Sequence, residues 1–172
     1  MQKVLVIGAG RSATSLINYL LEESKSRAWY ITVADANLSL AQSKVPNSAK
    51  NKAVELDINN EEIRKKIVSE NDVIISMLPA SMHNVIAEDC LEFGKHMITA
   101  SYVTDEIKEM HSAFAEKGIL FMGEMGLDPG IDHMSAMEKI ADIKSKGGKI
   151  NSFRSYTAVS YTHLTLPTIC SV

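Results

Sequence analysis

The sequence predicts a doubly wound parallel α/β sheet followed by the opening of a second α/β unit. Three features predict it. Short, continuously apolar runs suit strands covered on both faces. Stretches with an apolar stripe at helical spacing alternate with those runs. A glycine-rich turn sits directly after the first run, where such sheets place one.

The first strand is KVLVIGAG, with four apolar residues in a row at positions 4–7. Ala13, Leu16, Ile17, Leu20 and Leu21 then form the buried stripe of a helix. WYITVAD, aromatic and β-branched, is the second strand, and a helix over 38–44 follows and is broken by Pro46. KAVELDI is the third strand and residues 60–69 a short helix with a charged outer face. NDVIISMLP is a fourth strand, ended by Pro79, since proline cannot continue a ladder. Ile86, Cys90 and Phe93 line the next helix, with Gly94 as its stop. HMITAS is the fifth strand, Ile107, Met110 and Phe114 mark a helix ending at Gly118, and ILFMGE is the sixth strand. Beyond GLDPG, a helix over 134–146 and a Gly147–Gly148 turn lead into KINSFRSYT, a strand expected to open the second domain.

Composition narrows the function classes. With 45% apolar and 23% charged residues the chain can bury a core. A net charge of -3 and a pI near 6.0 speak against a nucleic-acid partner. Neither Cys90 and Cys170 nor His83, His96 and His111 form a ligand spacing, so no metal is expected. No apolar run approaches the roughly 20 residues of a membrane span, and no signal peptide is read at the start. The expected setting is cytoplasmic, without a membrane partner; a homodimer is allowed but not readable.

Gly8, Gly10 and Ala13 make the pattern G-x-G-x-x-A between a strand and a helix. Gly8 permits the tight turn, Gly10 lets backbone approach a pyrophosphate, and Ala13 lets helix and strand pack closely. With Arg11 and Ser12 they form a Rossmann phosphate loop at a helix N-terminus, or a purely structural turn. Asp35, roughly 20 residues further on, stands where an acidic residue accepts the adenosine ribose hydroxyls. It leans the cofactor toward NAD rather than NADP, although Arg11 offsets part of the repulsion of a 2′-phosphate. Asp57 either meets the adenine ring or caps the following helix. Met77, Leu78 and Pro79 end the fourth strand at the ligand-binding edge and line the cofactor.

Ser101 and Tyr102 after the fifth strand, with GEMGLDPGIDH after the sixth, resemble the glutamate-forming saccharopine dehydrogenases over about residues 3–157. The resemblance implies a reductive condensation of glutamate with 2-aminoadipate semialdehyde through an imine, or its reverse, in lysine metabolism. It implies that Ser101, Tyr102 and Asp128 contact a small amino-acid substrate and that Leu127 and Pro129 border the nicotinamide. Asp128 or Tyr102 would relay the proton. Pro129 and Gly130 set a turn that aims Asp128, unless Asp128 is only a turn former and Asp132 or His133 only opens the next helix. Two other readings stand beside this one: a related amine–aldehyde enzyme such as a carboxynorspermidine dehydrogenase, and a non-catalytic dinucleotide-binding module.

The sequence departs from the family in two ways. The family is often NADP-dependent, whereas Asp35 favours NAD. The stretch VSYTHLTLPTICSV replaces the glycine- and proline-rich continuation and resembles translated adapter read-through, the alternative being a genuine threonine-rich end. Residues 1–130 are thus expected to bind the dinucleotide, 131–157 to begin a truncated substrate domain, and 158–172 to be a non-native tail. A chain stopping there is expected to be inactive alone.

Overall fold

The structure, a computed structural model, describes residues 2–46, 48–157 and 168–170. They fall into two compact units, Met1–Met125 and Gly126–Val172.

The first unit is built on six parallel strands: β1 (Gln2–Ile7), β2 (Trp29–Asp35), β3 (Asn51–Glu55), β4 (Val73–Ser76), β5 (His96–Thr99) and β6 (Phe121–Met122). Their order across the sheet is β3-β2-β1-β4-β5-β6. The chain winds outward one way from β1 to β3 and then returns to start the other half at β4, beside β1. Open α/β sheets bind ligands beyond the carboxyl ends of the strands at such a reversal, here at β1 and β4.

The pleat explains the apolar runs. Val4 and Val6 face one side of the sheet, packing with Ile17 and Leu20 of α1 (Thr14–Ser26) and Ala41 of α2 (Leu38–Lys44). Leu5 and Ile7 face the other side. They join Val68 of α3 (Glu61–Ser69), Ile86 and Cys90 of α4 (His83–Phe93), Ile107 of α5 (Asp105–Glu109) and Phe114 of α6 (His111–Glu116). Successive side chains of a strand point to opposite faces, so a strand covered on both must be apolar at every position. Burial pushes the Cys90 thiol well above its ordinary range, so it behaves as an inert core group.

Polar side chains punctuate the helices. Asn37, Asn60 and Thr104 accept the N–H of Leu40, Ile63 and Ile107 and so cap α2, α3 and α5. Asn60, not Asp57, therefore caps α3. Gly94, at φ +66°, closes α4 in the left-handed region as expected. The helix expected through Ile107 and Phe114 divides at Met110 into α5 and α6. The expected strand ILFMGE contributes only Phe121 and Met122. The N–H of Ile119 is taken by the carbonyl of Phe114 and that of Leu120 by His96 Nδ1, so before Phe121 only the Leu120 carbonyl reaches the backbone of β5, accepting the N–H of Met97. At the far end of β2 the guanidinium of Arg27 lies 4.9 Å from the centroid of the Trp29 ring.

The second unit opens on a turn. The N–H of Gly126 donates to the carbonyl of Pro129 and that of Ile131 to Gly126. Helix α7 (Ile131–Ser145) begins earlier than expected because Asp132 accepts the N–H of Gly130 at 2.9 Å and secures its first turn. The strand expected over KINSFRSYT is confined to β7 (Ser155–Thr157), where β8 (Thr168–Cys170) supplies an antiparallel partner. The expectation of a non-native tail falls on residues outside those described, apart from the backbone of β8.

A buried ion pair joins α3 to α4. Arg64 Nε donates to Asp89 Oδ2 at 2.6 Å and its Nη1 to the carbonyl of Ile58 at 2.7 Å, with Asp89 1% exposed. Removing one partner strands the other charge in the core. Asp89→Ala should therefore cost about 3–5 kcal/mol, measured by chemical denaturation against the unmodified chain.

Candidate dinucleotide and substrate site

Strand β1 delivers the glycine loop to the strand-order reversal. Gly8 adopts φ +102°, and a Cβ built there would lie 2.9 Å from the carbonyl oxygen of Met77. Only glycine accepts both that angle and that approach. Gly10 is the opposite case: a Cβ built on it meets nothing within 4 Å. Its lack of a side chain answers to no protein neighbour and leaves open space over the loop. Arg11 and Ser12, both exposed, and the fully buried Ala13 form a single 3-10 turn that leads into α1. The residues present therefore fit a dinucleotide pyrophosphate, which needs close backbone approach and free N–H groups at the start of a helix.

The loop is braced from two sides. Asp35, at the end of β2, accepts the N–H of Ala9 at 2.7 Å through Oδ2 and that of Asn37 at 2.8 Å through Oδ1. Lys44, at the end of α2, donates to the carbonyl of Gly10 at 2.6 Å and to Thr14 Oγ1 at 2.7 Å. Neither contact is readable from spacing, and Lys44 was missed altogether. Asp57, exposed after β3, accepts both the N–H and the Nδ2 amide of Asn59 through Oδ1, closing a local turn. Met77 and Leu78 are half-buried and Pro79 exposed beyond β4, with the N–H of Met77 bound to the carbonyl of Ile7.

Beyond β5 the structure assembles a polar group that the sequence reading overlooked. His83, at the first turn of α4, is 1% exposed. Its Nδ1 lies 2.9 Å from Ser76 Oγ, and its Nε2 lies 2.8 Å from Ser101 Oγ and 3.0 Å from Thr99 Oγ1. Sequence spacing does not reveal this group, because a serine at the end of β4, a threonine at the end of β5 and a serine just beyond it are not a recognisable motif. Burial lowers the pKa of its ring below the ordinary 6.5. Tyr102, next to Ser101, is 58% exposed.

Glu124 completes this edge: its N–H donates to the carbonyl of Ser101 at 2.9 Å and its Oε1 accepts the N–H of Val103 at 3.3 Å. It does so at φ +59°, a conformation unusual outside glycine that concentrates at functional sites. In the second unit, Leu127 is 74% exposed, Asp128 half-buried, and Pro129 and Gly130 buried within the turn that opens α7. Among the described residues no His, Cys, Asp and Glu group is arranged to hold a metal ion, and no helix is long and apolar enough to cross a membrane.

Comparison with known proteins agrees with this architecture. Residues 4–122 match a family model described as the saccharopine dehydrogenase NADP binding domain, and residues 126–163 one described as the saccharopine dehydrogenase C-terminal domain. An alpha-aminoadipic semialdehyde synthase of Arabidopsis thaliana is 42% identical over 170 residues, covering 89% of this chain and 16% of its own. An NADP(+)-linked, L-glutamate-forming saccharopine dehydrogenase of Schizosaccharomyces pombe is 37% identical over 156 residues, covering 91% of this chain and 34% of its own. The solved apo structure of the L-Glu-forming saccharopine dehydrogenase from Saccharomyces cerevisiae superposes with a TM-score of 0.76 at 32% identity, covering 88% of this chain and 33% of that one.

The two glycines should separate in their effects. Gly10→Val should leave the circular dichroism spectrum and melting unchanged while abolishing dinucleotide binding in a fluorescence titration; unchanged affinity in the folded variant would remove the loop from the site. Gly8→Ala should lower stability itself, because the left-handed angle and the Met77 carbonyl both oppose a side chain.

His83 should add a pH dependence to stability. A folded pKa below the unfolded one means that its contribution is complete above about pH 6.5 and is lost as pH falls through the folded value. Denaturation free energies measured downward from pH 7 should decline in that window, and the decline should shrink in His83→Gln.

Proposed function

The chain belongs to the saccharopine dehydrogenase family, and from that premise we propose that it is the cofactor-binding part of an oxidoreductase interconverting saccharopine with glutamate and 2-aminoadipate semialdehyde. It spans 34% of the fission-yeast relative and 16% of the plant one. On this reading residues 1–130 bind the dinucleotide and residues 131–157 begin the substrate domain. The observation that carries the reading is the glycine loop at the strand-order reversal, with Gly8 at φ +102° against the Met77 carbonyl and Gly10 open above it, inside the matched residues 4–122.

When bound, the nicotinamide dinucleotide supplies or takes up a hydride at its nicotinamide ring. Gly8, Gly10, Arg11, Ser12 and Ala13 hold the pyrophosphate, and Asp57 lies toward the adenine. Met77, Leu78, Leu127 and Pro129 border the nicotinamide, with Pro79 at the same edge. Ser101 and Tyr102 offer neutral hydroxyls to the carboxylates of the amino-acid substrate. Asp128 pairs with its amino group, and Asp128 or Tyr102 holds the proton exchanged as the carbon–nitrogen bond forms or breaks.

We further infer that the cofactor is NADP(H). From the sequence Asp35 favours NAD as a barrier to a 2′-phosphate. Three observations support the other choice. Both oxygens of the Asp35 carboxylate already accept backbone N–H groups, of Ala9 in the loop and of Asn37 beyond β2, so they are committed within the protein. The cations Arg11 and Lys44 belong to the same loop and its brace. The matching family model and the fungal relative both carry NADP in their descriptions.

Fluorescence titration should give tighter binding of NADPH than of NADH, with Arg11→Ala narrowing the gap; preference for NADH in the unmodified chain would overturn the cofactor assignment. Asp35→Ala should weaken both dinucleotides, because it leaves the Ala9 N–H without its acceptor and costs about 1–3 kcal/mol. With the substrate domain only begun, saccharopine should bind the NADPH-loaded chain weakly in a calorimetric titration, and Ser101→Ala should weaken it about tenfold further. No heat with the cofactor bound would remove the substrate assignment.

A further inference from the structure

We propose that His83 is a positioning residue for Ser101, setting where the serine hydroxyl stands and which way its proton points when an amino-acid substrate is bound. The inference rests on the substrate role assigned to Ser101 above.

The geometry separates the two ring nitrogens. Nδ1 meets one hydroxyl, Ser76 Oγ at 2.9 Å, on a residue with no exposed surface at the end of β4. Nε2 meets two, Thr99 Oγ1 at 3.0 Å and Ser101 Oγ at 2.8 Å. Thr99 is buried at 1% exposure, whereas Ser101 is partly exposed at the carboxyl end of β5. Thr99 Oγ1 also receives the N–H of Ser101 at 3.3 Å. Ser101 is thus tied to the imidazole by its hydroxyl and to the buried threonine by its backbone, with its carbonyl fixed separately by the N–H of Glu124 at 2.9 Å.

A neutral imidazole carries one N–H and one lone pair. With hydrogen on Nε2, the ring donates to Ser101 Oγ and leaves the serine proton to donate outward, as a carboxylate requires. With hydrogen on Nδ1, Ser101 can give its proton to Nε2 and present lone pairs, as an ammonium requires. A protonated ring would donate from both nitrogens and remove the choice; burial works against that form. Such a hydroxyl is oriented before the ligand arrives, so less freedom is lost on binding.

Two substitutions divide the imidazole between its partners. His83→Gln places an amide group near the Nε2 position and keeps a partner for Ser101 while giving up Ser76. His83→Asn places one near Nδ1, keeping Ser76 and giving up Ser101. The readout is saccharopine binding to the NADPH-loaded chain by calorimetry, beside NADPH affinity and thermal midpoint for each variant. Positioning predicts at least a tenfold loss of saccharopine affinity in His83→Asn, substantial retention in His83→Gln, and unchanged NADPH affinity in both. Equal losses in the two variants would reduce His83 to a core residue and overturn the inference, leaving the proposed function intact. No saccharopine binding to an unmodified chain that does bind NADPH would overturn the substrate role of Ser101 and this inference together, leaving the dinucleotide site standing. Should His83→Asn fail to fold, the imidazole nitrogen resonances of the unmodified chain decide. Saccharopine should move Nε2 more than Nδ1, and an unmoved Nε2 with saccharopine bound overturns the inference.

Discussion

The meeting of β1 and β4 governs the rest of the molecule. The N–H of Met77 bonds to the carbonyl of Ile7, the N–H of Gly8 bonds to the carbonyl of Ala34, and the Cα of Gly8 faces the Met77 carbonyl too closely for any side chain. Central strand β1 is therefore held on both sides up to its last residue, and the chain has to leave it through a left-handed angle. The open loop and the start of α1 at the strand-order reversal both follow from that exit.

The cofactor edge is held by fixed charges and the proposed substrate edge by neutral hydroxyls. Asp35 and Lys44 grip the glycine loop through backbone N–H and carbonyl groups, so the protein's own groups brace its path. Toward β5, Ser76, Thr99 and Ser101 surround a ring whose burial lowers its pKa and so favours the neutral form. A charged ring there would need a carboxylate partner to offset its desolvation; the hydroxyls suit the neutral form. Glu124, in a backbone conformation unfavourable for its type, holds the same segment from the other side.

The strand and helix alternation was legible because it is written in periodicity. Two-sided burial makes Val4, Leu5, Val6 and Ile7 all apolar, and the glycine pattern follows at the expected place. Boundaries were less legible where a strand depends on its neighbour: β6 is short because His96 and Phe114 capture the N–H groups that would have extended it. Asp35 stood at the anticipated position, yet its partners are backbone groups 26 residues away and two residues on, which no motif encodes. Asp57 lost the capping role to Asn60, since both residue types cap well and only the path of the turn decides between them. The surroundings of His83 were invisible for the same reason: Ser76, Thr99 and Ser101 come together only through the pairing of β4 with β5.

The chain has a single tryptophan, and it stands at the first position of β2, under the guanidinium of Arg27. The opposite end of that strand is Asp35, which touches the glycine loop. At roughly 3.3 Å per residue, the six steps from Trp29 to Asp35 set the indole about 20 Å from the loop. A dinucleotide bound at the loop would thus lie beyond contact with the indole. Reduced nicotinamide absorbs where indole emits, so at that separation the indole can report a bound reduced dinucleotide by excitation transfer without touching it. The protein would then carry its own optical gauge, with the donor at one end of β2 and the proposed seat of the acceptor beyond the other.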